Sequence, residues 1–117
     1  MLFLEYPPCS TCKKAKLWLD SQNVGYVARH IKENKPTYQE LKQWYADSGL
    51  PLKRFFNTSG LLYKELKLKD RLPAMTEEEQ LQLLASDGML VKRPILVLEG
   101  TVLVGFRQNE WEAALKK

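Results

Sequence analysis

The sequence predicts one α/β domain, in which a β-α-β half and a β-β-α half flank a mostly helical segment. Three observations lead to this class. A short apolar run at residues 2–6 and a strand-like segment at residues 26–31 enclose a stretch of helical periodicity. Residues 36–88 contain helix start and stop signals but no strand pattern. Further along, residues 93–98 and 101–106 have the pattern of two strands joined by the turn Glu99-Gly100.

The first half is a compact β-α-β unit. Pro7-Pro8 ends the strand at residues 2–6, and a helix is predicted from residue 10 to about residue 23. We expect Gly25 to end this helix, because glycine accepts the left-handed conformation common after helix ends. Residues 26–31 are then predicted to form the second strand. One helix face carries Cys12, Ala15, Trp18, Leu19 and Gln22.

Two capping boxes, Thr37 with Glu40 and Thr76 with Glu79, begin helices in the middle segment. Residues 53–56 and 61–66 are predicted short helices separated by a turn, and Asn109 is expected to cap a terminal helix. Without the insertion at about 36–88, the element order is that of a thioredoxin-like fold. This fold has a four-stranded mixed sheet with helices on both faces. We therefore interpret residues 1–117 as a single domain.

Composition limits the class of protein. The chain has 117 residues, enough for one core, and 44% of them are apolar. The sequence contains no run of 18 apolar residues, which is about the length needed to span a bilayer. The N-terminal residues do not resemble a signal peptide. We therefore expect a cytoplasmic location without membrane association. Lys and Arg are dispersed along the sequence and the net charge is +4, which favours an anionic substrate or acidic partner over direct nucleic-acid binding.

Cys9-Ser10-Thr11-Cys12 follows a predicted strand and opens a helix, which is typical of a thiol redox site. Unpaired N–H groups and the helix dipole stabilise a thiolate there, so the pKa of Cys9 should be lowered. Lys13 and Lys14 add positive potential. Cys12, three residues later, can resolve a mixed disulfide or a sulfenic acid. A disulfide across so short a loop stabilises the fold little, so its purpose would be chemical.

Less specific readings of these residues stay open. Cys12 lies on the inward helix face and could be a small buried apolar residue. One cysteine pair and His30 are too few ligands for a structural zinc site, so no metal is expected. His30 itself fits a residue at the surface end of a strand.

Arg93-Pro94 opens the third predicted strand. Proline there removes a ladder donor, which indicates an edge position or a cis peptide. In a thioredoxin-like arrangement this loop lies beside the cysteine motif, where Arg93 could offer its planar donor fork to an oxyanion. Considered without the fold, Arg93 and especially Arg107 are ordinary surface arginines.

Four segments together resemble the arsenate reductase (ArsC)/Spx family: YPPCSTCKKA (6–15), FNTSG (56–60), LASDGML (84–90) and KRPI (92–95). The resemblance covers essentially the whole chain. It implies that Cys9 is the nucleophile that attacks arsenate and that Arg93, next to Pro94, binds the oxyanion. Arg107 corresponds to a second oxyanion-binding arginine, by its distance from Arg93 and the Arg107-x-x-Glu110 pattern. The third family arginine falls at or near Asn57.

The resemblance also implies regeneration by an external thiol reductant, either glutathione with glutaredoxin or thioredoxin, and no bound cofactor. Two features depart from the reductases. Asparagine at position 57 lacks the charge and fork of arginine, which should weaken oxyanion binding by about 1–3 kcal/mol. A second cysteine at the position of Cys12 is typical of the Spx branch instead.

Two hypotheses follow. The first is a thiol-dependent reductase of the arsenate-reductase type, in which Cys9 attacks a small oxyanion or a disulfide and Cys12 resolves the intermediate. Arg93, Pro94, Arg107 and Asn57 would contact the substrate. The alternative is an Spx-like redox-sensing transcription regulator that binds the α subunit of RNA polymerase. A third hypothesis is that the protein keeps the fold but has lost the activity.

Overall fold

The computed structural model describes residues 1–116. Its strands and helices are β1 (Leu2–Glu5), α1 (Ser10–Ser21), β2 (Val27–His30), α2 (Tyr38–Ser48), α3 (Leu61–Glu65), α4 (Leu68–Arg71), α5 (Glu77–Ser86), β3 (Ile95–Leu98), β4 (Thr101–Val104) and α6 (Gln108–Leu115). Short 3₁₀ turns lie at Leu52–Phe55, Leu72–Ala74 and Gly88–Leu90. The predicted order of two strand-containing halves around a helical insertion is confirmed.

The four strands form one mixed sheet in the order β2-β1-β3-β4. Strand β1 pairs parallel with β2 and antiparallel with β3, while β3 pairs antiparallel with β4. In this register Leu4 faces Ile95, and Ile95 faces Val104. The ends of β1, β2 and β4 therefore share one edge of the sheet with the start of β3, and the loops that follow or precede them meet there.

Each face of the sheet carries its own core, because neighbouring side chains on a strand point to opposite faces. Leu4 and Ile95 pack against the helical insertion, whereas Phe3 and Leu96 pack against α1 and α6. On the second face Ala15, Leu19 and Trp111 complete the cluster. This packing holds the start of α1 at the sheet edge described above.

The helix ends mostly follow the sequence signals. Both capping boxes form as predicted, and Gly49 ends α2 with φ 67°. Two of the predicted helix ends are wrong. Asn23, at φ 56°, takes the left-handed position after α1 before Gly25 is reached. Arg107, not Asn109, is the N-cap of α6, because the carbonyl of Arg107 accepts the first helical hydrogen bonds.

Gly88 is pressed against the backbone that follows β2. A Cβ at this position would stand 1.9 Å from the carbonyl oxygen of Ile31, so either main chain must move to admit it. We expect Gly88→Ala to lower the free energy of unfolding by about 2–3 kcal/mol, measured by urea denaturation. Gly25→Ala is the matched control, since its Cβ would meet no atom within 4 Å. Equal stability of the two variants would contradict the prediction.

Within the described residues, no helix combines the length and the apolar character that crossing a membrane requires.

Candidate active site

Cys9 is the N-cap residue of α1. Its backbone is extended, at φ −75° and ψ 125°, and its side chain is partly exposed. The Cys9 N–H donates to the Tyr6 carbonyl at 2.8 Å, and the Cys9 carbonyl accepts from the Lys13 N–H at 3.1 Å. These bonds fix the sulfur at the positive end of the helix, as the sequence predicts.

The surroundings of Cys9 favour its thiolate. Burial alone would raise the pKa of the Cys9 thiol, but four donors outweigh it and lower that pKa. They are, from the largest effect to the smallest, the Cys12 backbone N–H, the Cys12 side chain, the Arg93 guanidinium and the Thr11 backbone N–H. Hydrogen bonds to a charged form stabilise that form, so Cys9 is the reactive sulfur of the pair.

Cys12 has the opposite character. It is fully buried on the inward face of α1, and its Sγ accepts the Tyr6 N–H at 3.5 Å. Burial, followed by the hydrogen bond and the charge of Cys9, raises the pKa of Cys12 to about 12. At neutral pH Cys12 is therefore a protonated thiol that donates toward Cys9. The burial of Cys12 fits its interpretation as a small buried apolar residue, while its contact with Cys9 fits the resolving role.

The opposite shifts predict a selective alkylation profile. We expect iodoacetamide to modify Cys9 with an apparent pKa below that of a free cysteine, while Cys12 stays unmodified at neutral pH. Because the pKa of Cys9 is lower in the folded state, its ionisation stabilises the fold above the unfolded pKa, and that contribution is lost as pH falls through the folded pKa. Tandem mass spectrometry after timed alkylation from pH 5 to 9 measures both sites. A Cys9 midpoint at or above that of a free cysteine alkylated under the same conditions would refute the profile.

Arg93 lies beside Cys9, and its guanidinium donates a hydrogen bond to the Cys9 sulfur. Its peptide bond to Pro94 is cis, and its guanidinium carbon sits 4.9 Å from the centre of the Tyr6 ring. The Nε and Nη1 atoms of Arg93 are buried and have no hydrogen-bond partner among the described residues. Buried donors are usually paired, and a planar guanidinium suits a bidentate oxyanion. This arrangement fits the oxyanion-binding role expected for Arg93.

Tyr6 is a site residue that sequence reasoning did not single out. Its carbonyl accepts from Cys9, its N–H donates to Cys12, and one face of its ring lies against Arg93. The ring also meets the imidazole of His30 edge-on, with centroids 5.8 Å apart. An aromatic residue at the end of a strand, directly before Pro-Pro-Cys, was the available signal. Tyr6 positions both cysteines through its backbone and Arg93 through its ring.

We expect Tyr6→Leu to raise the pKa of Cys9, because Arg93 loses the ring that holds it beside the thiolate. A cation–π contact is worth about 0.5–2 kcal/mol. Tyr6→Phe keeps the ring and should keep the wild-type pKa, so it is the matched control. The pH dependence of Cys9 alkylation measures the effect. Equal pKa values in two folded variants would show that the ring does not position Arg93.

Asn57 and Arg93 line the same cleft, of about 570 Å³. Asn57 is 7% exposed, and its N–H donates to the Leu90 carbonyl at 2.8 Å, which fixes residue 57 beside the segment leading to Arg93. Its Oδ1 accepts from the Ser59 hydroxyl at 3.4 Å. The structure thus brings together two of the predicted substrate contacts. The remaining lining residues are Lys32, Ser59, Gly60, Leu61, Leu62, Glu65, Asp87 and Met89.

Arg107 lies at the same sheet edge but turns toward a different partner. The Gly105 N–H donates to the Pro94 carbonyl at 2.8 Å, which ties the loop before Arg107 to the Arg93-Pro94 peptide. The Arg107 guanidinium is exposed and pairs with Glu110 at 3.3 Å. Its role in substrate binding stays a prediction.

His30 contributes to a turn after β2. His30 ends β2, and its Nδ1 accepts from the backbone N–H groups of Lys32 and Glu33. It therefore closes a turn. Across residues 1–116, no three His, Cys, Asp or Glu side chains are grouped as metal ligands.

A half-buried thiol at a helix start, a buried thiol three residues on, and an arginine before a cis-proline define a thiol site on a thioredoxin-like fold. The ArsC family model matches residues 4–114 of this sequence. The chain belongs to the ArsC family. The family resemblance drawn from the four sequence segments is confirmed.

Two solved structures share nearly the whole fold. A protein from Bacteroides fragilis described as related to the ArsC family is 61% identical, with a TM-score of 0.94, over 96% of this chain and 94% of that one. A protein from Streptococcus mutans UA159 described as a possible arsenate reductase is 47% identical, with a TM-score of 0.87, over 95% of this chain and 96% of that one.

Two sequence relatives differ in how similar they are to this chain. The uncharacterized protein YusI of Bacillus subtilis (strain 168) is 51% identical over 112 residues, which are 96% of this chain and 95% of YusI. The global transcriptional regulator Spx 1 of Bacillus cereus is 25% identical over 104 residues, which are 89% of this chain and 78% of the regulator.

Proposed function

We propose that this protein is a thiol-dependent reductase, in which Cys9 attacks a small oxyanion or a disulfide and Cys12 resolves the intermediate. One observation carries the proposal. A cysteine whose pKa is lowered lies beside an arginine with two buried donor atoms that have no partner among residues 1–116. A nucleophile next to unfilled anion donors is the arrangement that an anionic electrophile requires.

For an oxyanion such as arsenate, the Cys9 thiolate attacks the As(V) centre, an S–As bond forms, and a hydroxide leaves as water after protonation. The Cys12 sulfur then attacks the Cys9 sulfur and the S–As bond breaks. Its electron pair stays on arsenic, which is reduced to As(III). The protein is left with a Cys9–Cys12 disulfide and has lost two electrons.

For a disulfide substrate, Cys9 first forms a mixed disulfide and one substrate thiolate leaves. Attack by Cys12 on Cys9 then releases the second thiolate. Both routes end at the same intramolecular disulfide, so both need the same regeneration.

The site supplies a reason why Cys12 acts second. Besides burial, the hydrogen bond and the negative charge of Cys9 raise the pKa of Cys12. Once the Cys9 sulfur is bonded to substrate it carries no charge, so these two effects disappear and the pKa of Cys12 falls. The resolving thiol becomes easier to ionise when there is an intermediate to resolve.

We assign substrate contacts to Arg93, Pro94 and Asn57, with Arg107 as a further donor. Asn57 shares the cleft with Arg93 but offers a neutral amide, so oxyanion affinity should be lower than with arginine. Regeneration requires two electrons from an external thiol, either glutathione with glutaredoxin or thioredoxin. The scheme needs no bound cofactor or metal.

The experiment supplies arsenate and, in parallel, a low-molecular-weight disulfide to the purified protein, with each reducing system. Consumption of NADPH through the matching reductase reports turnover. Turnover with one substrate class and not the other identifies the substrate. Absence of turnover with both, while the Cys9–Cys12 disulfide forms and is reduced normally, would refute the enzymatic proposal.

A second candidate is a redox-sensing regulator that binds the α subunit of RNA polymerase. The second cysteine of the motif and the similarity to Spx 1 favour it. A pull-down of the purified α subunit with oxidised and reduced protein distinguishes the two functions. Redox-dependent capture supports the regulator, and absence of capture in both states excludes this partner.

A further inference from the structure

Six cationic side chains line three adjoining clefts on one side of the insertion. The first cleft is the one that contains Lys92, the second contains Lys64 and the third contains Pro73. Thr58 lines the first and second clefts, Tyr63 the second and third, and Lys53 the first and third. The clefts therefore form one continuous surface, here called the basic face. Its cations are Lys53, Arg54, Lys64, Lys67, Lys69 and Lys92.

The basic face holds the whole excess of positive charge. Its six cations stand against one carboxylate, Asp70, which gives +5, whereas the full chain carries +4. The rest of the protein is therefore at −1. None of the three ion pairs found in residues 1–116 involves a cation of this face. Like charges gathered without partners repel one another, and an opposing anionic surface relieves that repulsion.

The basic face adjoins the thiol site. Residues 55–57 run antiparallel to residues 90–92, joined by the Phe56–Val91 bridge and by the bond from the Lys92 N–H to the Phe55 carbonyl. At the end of this ladder, Lys92 lines the basic face and Arg93 lines the Asn57–Arg93 cleft. Their Cα atoms are about 3.8 Å apart, as in any trans-linked pair.

We propose that the basic face is the docking surface for an acidic protein that exchanges electrons with the Cys9–Cys12 pair. This inference rests on the proposed function, which requires an external thiol reductant. A standard protein interface covers about 800 Å² on each partner, enough to span several side chains and reach the neighbouring cleft. A partner seated on the face would therefore also cover the edge of the thiol site.

The chemistry favours a protein over a nucleic acid. Sequence-tolerant binding of single strands uses exposed aromatic rings, but Tyr63 and Phe56, the aromatic residues lining these clefts, are 6% and 1% exposed. A nucleic-acid duplex also has no thiol or disulfide with which the adjoining cysteine pair could react. An acidic thiol protein uses both the charge and the sulfur.

The exchange step balances within the two proteins. A thiolate of the partner attacks the Cys9 sulfur of the Cys9–Cys12 disulfide, because Cys12 is buried and Cys9 is partly exposed. Cys12 leaves as a thiolate and takes a proton. The partner's second thiol then attacks the mixed disulfide, Cys9 leaves, and the partner departs oxidised by two electrons.

The test measures reduction of the Cys9–Cys12 disulfide by two reductants, a reduced thioredoxin of net negative charge and the uncharged dithiol dithiothreitol. Lys64→Glu/Lys69→Glu reverses two exposed charges of the basic face. Lys42→Glu/Lys116→Glu reverses two exposed charges elsewhere and is the matched control. Circular dichroism confirms that both variants are folded.

With thioredoxin at low ionic strength, we expect the basic-face variant to be reduced at least about tenfold more slowly than the control, because charge complementarity mainly speeds association. The difference should shrink toward 1 M salt, where the screening length is about 3 Å. With dithiothreitol the two variants should react at equal rates.

Equal rates with thioredoxin would overturn the docking surface. A slower reaction with dithiothreitol as well would assign the loss to the thiol pair and overturn it too. Binding of a 20-base-pair DNA duplex that disappears in the basic-face variant, with the thioredoxin rate unchanged, would assign the face to nucleic acid instead. Failure of both reductants on the wild-type disulfide would refute the proposed function together with this inference.

Discussion

Substitution of Cys9 by serine is expected to lower thiol-dependent turnover by at least about 10³-fold, to the level of the uncatalysed reaction. A serine hydroxyl is not ionised at neutral pH, so the donors that stabilise the Cys9 thiolate have no anion to act on. The exchange changes little volume, and the fold should persist. Turnover of arsenate or disulfide with the reducing system gives the measurement, and Ser10→Ala is the matched control at the exposed neighbouring position.

The Cys12→Ser variant distinguishes the roles of the two cysteines. Cys9 can still attack, but the adduct has no internal thiol to resolve it. We expect a single burst of substrate bound covalently to Cys9, visible by intact mass, followed by slow turnover limited by external thiol. Steady turnover at the wild-type rate in Cys12→Ser would remove Cys12 from the mechanism and leave it as a buried apolar residue. Steady turnover in Cys9→Ser would remove the proposed nucleophile.

Local sequence patterns predicted the features that depend on near neighbours. The place of Cys9 at a helix start follows from the strand, Pro7-Pro8 and the helix that surround it. The capping boxes at Thr37 and Thr76 formed as expected, since each is set by residues three apart. Helix α4 was missed because four residues, entered through a left-handed Lys67, leave no periodicity to read.

The contacts between distant segments were beyond sequence reasoning. Arg93 and Tyr6 are 87 positions apart in the chain, and only the pairing of β3 with β1 brings their segments together. The basic face shows the same limitation. Five of its six cations lie within residues 53–69, but only the short ladder between residues 55–57 and 90–92 brings Lys92 to them.

Replacing Arg93 should have the second largest effect on activity. The guanidinium lies over the Tyr6 ring and stabilises the Cys9 thiolate, and its buried Nε and Nη1 atoms have no partner within the described residues. We expect Arg93→Ala to lower kcat/KM for an oxyanion by about 10²–10³-fold, the usual cost of removing a preorganised donor from a developing anion. Arg93→Lys restores a charge without the fork and should recover only part of this loss.

The same variant should affect an uncharged disulfide differently. Such a substrate does not use the free donors of Arg93, so Arg93→Ala acts on it only through Cys9. Loss of the guanidinium raises the pKa of Cys9, which lowers the thiolate fraction at pH 7, and the deficit should disappear as pH rises above the new pKa. Arg71→Ala, at an exposed arginine of α4, is the control for loss of one positive charge. An equal loss with both substrates at every pH would mean that Arg93 supports the fold of the site and does not bind the anion.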